Sequence, residues 1–351
     1  MSSPPPASSA AAVPALPVGA SADQPSIEVD DDYDTTSDYG SSLQSSTQSL
    51  STTIRDYVYE NGRRYHRYAE GKYISPNDEM EQDRLDLVHH LSLLVLNGNL
   101  YTAPIPKDPH HILDCGTGTG IWALDMADTF KSAQVVGVDL SPIQPAWVVP
   151  NCKFEVDDLS LDWTYPKDHF DFIHSRDITY TLKDLPHYVQ QMYEHVKPGG
   201  WVELAEAEMG GPWSDDNSVP ADCAFVEYMV HFTRLASAAG FGETNGHALK
   251  KQLEKAGFVD VYVGTYKLPW GTWPKKKTIK EQGAIGKMIL ESGFEAYGMA
   301  LFTRVGGMTG AQAADIITRA KNDVANRQIH SYTYRWHVIG RKPTAEECTK
   351  A

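Results

Sequence analysis

One stretch decides how this chain folds: residues 111–120, which read HILDCGTGTG. An apolar run ends in three alternating glycines, and IWAL at 121–124 then begins a helical pattern. Glycines at such a turn let backbone N–H groups and a helix N-terminus approach a ligand. About 20 residues later, VVGVD at 135–139 predicts a second strand that ends in a carboxylate. The pair predicts a site for a nucleoside-containing cofactor.

Strands and helices alternate downstream of this stretch, which predicts a doubly wound, mostly parallel α/β sheet. Strands are expected near 111–115, 134–138, 152–156, 170–175, 200–206, 258–263 and 329–339. Helices are expected near 78–96, 119–130, 184–195, 248–256, 278–302 and 310–326.

The first part of the chain has a different composition. Residues 1–53 are rich in Ser, Pro and Ala with an acidic patch, and the first basic residue is Arg55. Such a segment buries too little apolar surface to offset the entropy of ordering, so we expect a disordered tail. Folded protein is expected over 54–343, with a lid and helix at 54–109, a cofactor core at 110–206 and an acceptor region at 207–343; 344–351 is a short tail.

Bulk properties exclude several classes of protein. The net charge of −15 argues against direct nucleic-acid binding through a basic face. The four cysteines are at positions 115, 152, 223 and 348; they show no metal-ligand spacing, so no metal is expected. Neither a secretory signal nor an apolar run long enough to span a membrane is visible, so we expect a cytoplasmic protein.

Two classes of cofactor compete for the glycine turn. A dinucleotide fingerprint, as in nicotinamide-dependent dehydrogenases, needs a third glycine where this chain has Ile121. Asp114 lies two residues before the first glycine, where a carboxylate suits a cationic amino-acid group and repels a pyrophosphate. Asp139 can accept hydrogen bonds from ribose hydroxyls of either cofactor. FEVDDL at 154–159 ends the third strand with acids that can accept from an adenine amino group.

Taken in order, the motifs over 110–206 resemble those of class I S-adenosylmethionine-dependent methyltransferases. The resemblance implies a seven-stranded sheet with one antiparallel edge strand and S-adenosylmethionine as cofactor. Carried over by position, it implies a cofactor site formed by Asp114, Gly116, Gly118, Gly120, Asp139, Asp158 and Leu159.

A narrower resemblance covers residues 56–343. ENGRRYH at 60–66, PNDE at 76–79, DLSPIQP at 139–145 and IGRKP at 339–343 are similar to the fungal LaeA-like methyltransferases. It implies a setting in fungal secondary metabolism and two alternatives. One is an enzyme that methylates a small aromatic or carboxylic metabolite. The other is a LaeA-type regulator that acts through nuclear protein partners, which would place the protein in the nucleus.

No catalytic residue is evident, because the cofactor carries the reactive group and the protein positions the reactants. The candidates for a general base are His174, Glu206 and His231. The acceptor pocket is expected from the helix at 278–302 and from an aromatic-rich set upstream of it, with 65–73 as a lid. The members of that set are Trp213, Phe225, Tyr228 and Met229.

Overall fold

A seven-stranded sheet forms the centre of the computed structural model, which describes residues 24–30, 57–66, 76–242 and 245–349. A two-stranded hairpin precedes it. In chain order the strands are β1 (Tyr57–Glu60), β2 (Arg63–His66), β3 (His111–Cys115), β4 (Gln134–Asp139), β5 (Cys152–Val156), β6 (Phe170–Arg176), β7 (Val196–Ala207), β8 (Val259–Pro269) and β9 (Tyr332–Arg341).

Helices cover the sheet. They are α1 (Glu79–Val95), α2 (Ile121–Thr129), α3 (Leu185–His195), α4 (Ala224–Ala238), α5 (Gly246–Ala256), α6 (Lys277–Ala300), α7 (Gly310–Ala325) and α8 (Ala345–Cys348). A 3₁₀ turn spans Thr179–Thr181, and a π turn spans Leu301–Val305 at the end of α6. The predicted helix at 78–96 is confirmed: Asp78 caps α1 by accepting from Glu81 N.

The sheet order is β5-β4-β3-β6-β7-β9-β8. Strands β3 to β7 pair in parallel, and β9 runs antiparallel to both of its neighbours, β7 and β8. The sheet is therefore seven-stranded and mostly parallel, as predicted. The antiparallel strand lies second from the edge, so its predicted edge position is wrong. Strand β9 is buried along most of its length, as an inner strand must be, whereas β8 begins exposed and forms the edge.

Besides the one-turn helix α8, the 3₁₀ turn and the π turn, two structural elements were not anticipated from the sequence. One is α4, where the N-cap residue Cys223 makes no side-chain capping bond and so supplied no signal of a helix start. The other is the hairpin of β1 and β2, whose turn holds Asn61 and Gly62 with positive φ angles of 50° and 79°. Arg304 on the π turn pairs with Glu60 and so ties the hairpin to the helical layer.

Two packing layers position the functional region. On one side of the sheet, α3 and α5 pack on a core that includes Tyr188, Val202 and Leu249. A separate apolar cluster joins α4, α6 and α7 and includes Phe232 and Phe302. Helix α1 packs against α6, so the helical layer reaches across to the carboxyl edge of the sheet.

The predicted tail at 1–53 lies mostly outside the described residues, but Gln24–Asp30 is described. Within this segment, Val29 forms an isolated antiparallel β-bridge with Pro274. Asp30 pairs with Lys280, and Ile27 N donates to Asp215 Oδ2 at 3.0 Å. The expectation of no fixed structure is therefore wrong for these seven residues, because the acidic patch that suggested disorder forms an ion pair with the folded chain.

Candidate functional site

The glycine turn after β3 has a backbone that only glycine adopts readily. Gly116, Gly118 and Gly120 have φ angles of 71°, 56° and 83°. A Cβ on Gly116 would stand 2.2 Å from Ile178 Cγ2. The N–H groups of Gly116 and Thr117 both donate to the carbonyl of Val138 at 2.9 Å. The turn is thereby fixed against β4.

Asp139 ends β4 beside this turn. Its Oδ2 accepts from Gly118 N at 2.9 Å, and its Oδ1 accepts from Ser141 N at 2.8 Å. Burial raises the pKa of this carboxyl to about 6. Each oxygen keeps a further lone pair, so Asp139 can also accept hydrogen bonds from a ligand's hydroxyl groups.

A cleft of about 750 Å³, which we call the glycine-loop cleft, opens above the turn. Its walls come from the turn, the loop after β4, the end of β6 and the N-terminal half of α1. The lining includes Asn77, Glu81, Arg84, Leu85, Gly116, Thr117, Gly118, Asp139, Ser141, Ile143, Arg176, Asp177, Tyr180 and Tyr297.

Ion pairs hold α1 in place as a wall of this cleft. The N-cap residue Asp78 receives two hydrogen bonds from the Arg63 guanidinium, at 2.6 and 2.9 Å. Glu81 and Arg84 form a buried bidentate pair at 2.5 and 2.9 Å. Thr119 Oγ1 donates to Asp86 Oδ1 at 2.7 Å and links α1 to the glycine turn. Buried pairs such as Glu81 and Arg84 are costly to break singly, which favours one fixed position for α1.

A second, larger space adjoins the first; we call it the apolar cavity. It encloses about 1050 Å³, solvent at its mouth included. Helices α1, α4 and α6 and strands β8 and β9 contribute most of the lining. The lining of the apolar cavity includes Val88, Leu91, Phe225, Tyr228, Met229, Phe232, Leu268, Trp270, Ile289, Leu290, Gly293, Phe294, Tyr297 and Arg335.

The two spaces share a wall, and this junction consists of Arg84, Val88, Asp177, Tyr180 and Tyr297. The Arg84 guanidinium lies 4.7 Å from the centre of the Tyr297 ring, a cation–π contact. Burial raises the pKa of the Tyr297 hydroxyl to about 12, so this residue stays neutral near pH 7. A ligand in the cleft and a ligand in the cavity would meet at these five residues.

Asp177 is the carboxylate at the junction. Its backbone φ of 56° is unusual for a residue other than glycine, and such strain is concentrated at functional sites. Its Oδ1 accepts from Arg335 Nη1 at 2.6 Å and from Ala207 N at 3.2 Å. Burial pushes its pKa up, but Arg335 outweighs this and holds the pKa below its ordinary value. Asp177 is therefore ionised near neutral pH.

The structure brings some of the predicted cofactor residues together but not all. Gly116, Gly118 and Asp139 line the glycine-loop cleft. Gly120 is the N-cap of α2, and a Cβ there would stand 2.3 Å from Phe154 Cζ, so its smallness serves packing. Asp114 is buried; it accepts from Thr117 Oγ1 at 2.6 Å and pairs with His174 Nδ1 at 2.8 Å.

The other two predicted residues, after β5, also lie away from the lining of the cleft. Asp158 accepts from the N–H of Ser160 at 3.0 Å and from its hydroxyl at 2.6 Å, which caps a turn. Leu159 is buried in the core beneath α3.

The three candidate bases do not line either space. His174 is stacked on Trp122 with ring centres 3.8 Å apart. Glu206 is fully buried, and its Oε1 accepts from the N–H groups of Ile178 and Thr179. Burial and the neighbouring charge of Asp177 raise the Glu206 pKa to about 8. His231 is on α4 but pairs with Arg234 on the outer side of the helix.

Most of the residues expected to form an acceptor pocket line one cavity. Phe225, Tyr228 and Met229 line the apolar cavity together with residues of α6. Trp213 does not; it is 41% exposed and pairs with Tyr332. Tyr65, at the start of the expected lid, is buried in the helical core, and residues 67–73 of that lid lie outside the described residues.

Sequence reasoning missed Arg176 and Asp177. They directly follow the predicted fourth strand, which was expected to end at 175 and ends at Arg176. Ligand-binding residues of open α/β sheets lie at the carboxyl ends of strands, so this position was the available signal. Arg84 and Tyr297 gave no such signal, because they lie on helices outside the motif region.

The residues present fit S-adenosylmethionine. Gly116, Thr117 and Gly118 line the cleft with little more than backbone, and Asp139 faces it with acceptor oxygens for ribose hydroxyls. The fold, the glycine turn and the adjoining cavity define the class I S-adenosylmethionine-dependent methyltransferases.

Comparisons with known proteins identify the family. A model described as a methyltransferase domain matches residues 87–263. The chain is 40% identical to the methyltransferase pytC of Aspergillus terreus over 85% of this chain and 92% of that protein. It is 37% identical to the secondary metabolism regulator LAE1 of Cochliobolus heterostrophus, over 81% of this chain and 94% of that one. The chain belongs to this methyltransferase family, among its fungal LaeA-like members.

One solved structure shows how far the likeness of the fold extends. A phosphoethanolamine N-methyltransferase of Haemonchus contortus, in complex with S-adenosylhomocysteine, is 20% identical, with a TM-score of 0.43. The match covers 78% of this chain and 55% of that one, and it is too distant to add to the assignment.

Among the described residues, no helix is long and apolar enough to cross a membrane. In the same part of the chain, no three His, Cys, Asp or Glu side chains come together as metal ligands.

Proposed function

We propose that this enzyme transfers the methyl group of S-adenosylmethionine to a small molecule whose apolar body occupies the apolar cavity. The observation that carries the proposal is the shared wall of the two spaces at Asp177, Tyr180 and Tyr297. A cavity of this size with a mainly apolar lining and a few polar groups is typical of small-molecule sites.

Methyl transfer from a sulfonium is an in-line displacement, so the donor and acceptor atoms must be aligned and dry. S-adenosylmethionine supplies the activated methyl group when bound. Gly116, Gly118 and Asp139 would hold its nucleoside part, while α1 covers the cleft and excludes water. Tyr228, Phe232 and Phe294 would position the acceptor against the junction.

The charge at the junction favours an aromatic hydroxyl over a carboxylate as the reacting group. Arg84 of the junction is already paired with Glu81, and Arg335, which lines the apolar cavity, is already paired with Asp177. An ionised Asp177 would repel an acceptor carboxylate but accept a hydrogen bond from a hydroxyl. Asp177 would thereby orient the acceptor oxygen toward the methyl group and take up the hydroxyl proton, as the oxygen–methyl bond forms and the bond between methyl and sulfur breaks to leave S-adenosylhomocysteine.

The experiment incubates the full chain with methyl-labelled S-adenosylmethionine and a panel of phenols and aromatic acids, read by mass spectrometry. Phenolic methyl ethers are the expected products. Asp177→Asn should lower kcat about 10- to 100-fold, as for loss of a positioned base or acceptor, with donor affinity unchanged.

Asp168→Asn is the matched control, since Asp168 also has a left-handed backbone, with φ 53°, but pairs with Lys342 at the surface. It should retain full activity. Methyl esters as the main products, or an unaffected Asp177→Asn enzyme, would contradict the proposal.

A second candidate follows from the relative named as a regulator of secondary metabolism. In this alternative the chain acts through nuclear protein partners and methylates no metabolite. A tagged full chain in a fungal cell discriminates the two. The regulator accumulates in nuclei and copurifies with transcription factors; its loss changes the transcripts of gene clusters, and the Asp177→Asn variant restores them. If the chain is the metabolite enzyme, the Asp177→Asn variant fails to restore product formation.

A further inference from the structure

Arg176 stands apart from the other charged side chains that line the glycine-loop cleft. Glu81 and Arg84 pair with each other, and Asp177 pairs with Arg335. Asp139 accepts from two backbone N–H groups. Among the described residues, Arg176 is the lining cation with no carboxylate within salt-bridge distance.

Nearby carboxylates do not serve Arg176, because each is engaged elsewhere. Asp114 is bonded to Thr117 and His174, and Glu203 accepts from Thr102 N, Ala103 N and His337. Burial lowers the pKa of Arg176, and the charge of Arg335 adds to this effect. Arg176 is half-buried and lines the cleft, so a ligand that fills the cleft would withdraw the guanidinium from water, and an anionic group on that ligand would offset the cost.

A neutral histidine orients the Arg176 guanidinium. Arg176 Nη1 lies 3.3 Å from His89 Nδ1, and His89 Nε2 lies 2.9 Å from Asp125 Oδ2. A guanidinium can only donate and a carboxylate can only accept, so Nδ1 carries the lone pair and Nε2 the proton. Burial lowers the pKa of His89, although Asp125 opposes this, so the neutral form is favoured.

The position of Arg176 on the sheet matches that expected for the methionine end of the donor. Asp139 ends β4, and Arg176 ends β6, with β3 between them. Two strand spacings separate them by about 10 Å. With the ribose at Asp139, the methionine chain would extend across β3 toward the end of β6.

We propose that Arg176 binds the α-carboxylate of S-adenosylmethionine, and that His89, held by Asp125, positions the guanidinium for it. The proposal rests on the proposed use of the glycine-loop cleft as the donor site. It adds a cofactor-binding residue and two positioning residues that lie outside the glycine motif.

Calorimetric titration of the full chain tests the contact directly, without turnover. The ligands are S-adenosylmethionine and its decarboxylated form, which lacks only the carboxylate. The wild type should bind the intact donor about 30- to 100-fold more tightly, as expected for a buried charge-assisted pair. Arg176→Gln should lose most of this preference, and Arg176→Lys should retain part of it.

Arg319→Gln is the matched control, because it removes a guanidinium that pairs with Glu227 and Asp315 at the surface. It should keep the full preference. Equal binding of the two ligands by the wild type would overturn the inference while leaving the donor site intact. If the wild type binds neither ligand, the donor site itself is overturned, and the inference with it.

The positioning role has its own readout, the pH dependence of donor affinity between pH 5 and 7. Protonated His89 would direct an N–H and a positive charge at Arg176, so wild-type affinity should fall as the pH is lowered. The groups facing His89 are Asp125 from α2, Asp114 from β3, Asp86 from α1 and Arg176 itself. Removing Asp125 should move the fall to lower pH, because it takes away a group that favours protonated His89.

His89→Gln offers an amide oxygen to Arg176 but does not titrate in this range. Asp139 still titrates near pH 6 in this variant, so its donor affinity should fall less steeply than that of the wild type between pH 7 and pH 5. Profiles that coincide for the wild type and His89→Gln would overturn the positioning role.

Discussion

The glycine-loop cleft and the apolar cavity differ in how they are built. The cleft is formed by consecutive strand ends of one sheet, and its shape depends on backbone conformation and a few carboxylates. The cavity is formed by side chains from α1, α4 and α6, which are far apart in sequence. On the proposed function, the first region binds the donor that all members of the class share, whereas the second varies with the acceptor. Changes in one should therefore leave the other intact.

The largest effect is expected at the turn. Gly116→Ala combines a left-handed backbone with a Cβ 2.2 Å from Ile178. We expect the free energy of unfolding to fall by about 2–4 kcal/mol and donor binding to be lost. Urea denaturation and calorimetry measure the two effects. Gly98→Ala is the control, since Gly98 has φ 87° with no atom within 4 Å of the new Cβ; it should cost about 1–2 kcal/mol and leave binding unchanged.

Asp139→Ala should come next. The substitution removes the two hydrogen bonds that the ribose hydroxyls would donate to the ionised carboxylate, so we expect a donor Kd about 100-fold higher. Asp158→Ala is the informative comparison: its carboxylate caps the turn at Ser160, so we expect a loss below about tenfold. Equal effects of the two substitutions would show that the donor contacts both strand ends equally, whereas Asp139 lines the glycine-loop cleft and Asp158 does not.

The contrast also explains what the sequence could predict. The strands, the glycine turn and the place of Asp139 follow from local patterns, because strand ends and tight turns are encoded by adjacent residues. The sequence does not distinguish a packing role of Asp114 and Gly120 from a ligand-binding role. Gly120 lies against Phe154 and Asp114 bonds to His174, and both contacts form only when the chain folds. The position of β9 between β7 and β8 depends on long-range pairing for the same reason.

The cavity was predicted less completely. Phe225, Tyr228 and Met229 were expected from aromatic density, but Trp213 has the same composition signal and lies outside. Arg84 and Tyr297 become part of the junction only because α1 packs against α6. No local pattern encodes that packing.

A smaller and more selective effect is expected inside the cavity. Leu290→Trp adds volume at the cavity wall, away from the glycine turn. We expect the KM for the acceptor to rise about tenfold while the donor Kd stays within about twofold. Steady-state kinetics and calorimetry separate the two. Met288→Trp, on the exposed side of the same helix, is the control and should change neither value.

The smallest effect concerns Glu206, behind the wall that the two regions share. Its folded-state pKa of about 8 lies above that of a free glutamate, so ionisation destabilises the fold as the pH rises from about 4.5 to 8. Glu206→Gln removes this dependence. Its melting temperature relative to the wild type should therefore rise by about 2–4 °C between pH 5 and pH 8. A constant or falling difference would show that Glu206 is ionised in the folded protein.

The relation between the two regions is tested most directly by a crystal structure of the full chain with S-adenosylhomocysteine. We predict that the ribose lies on Asp139, the carboxylate lies on Arg176, and the sulfur faces the junction at Asp177 and Tyr297. A ligand whose sulfur faces away from the apolar cavity would contradict the assignment of that cavity to the acceptor.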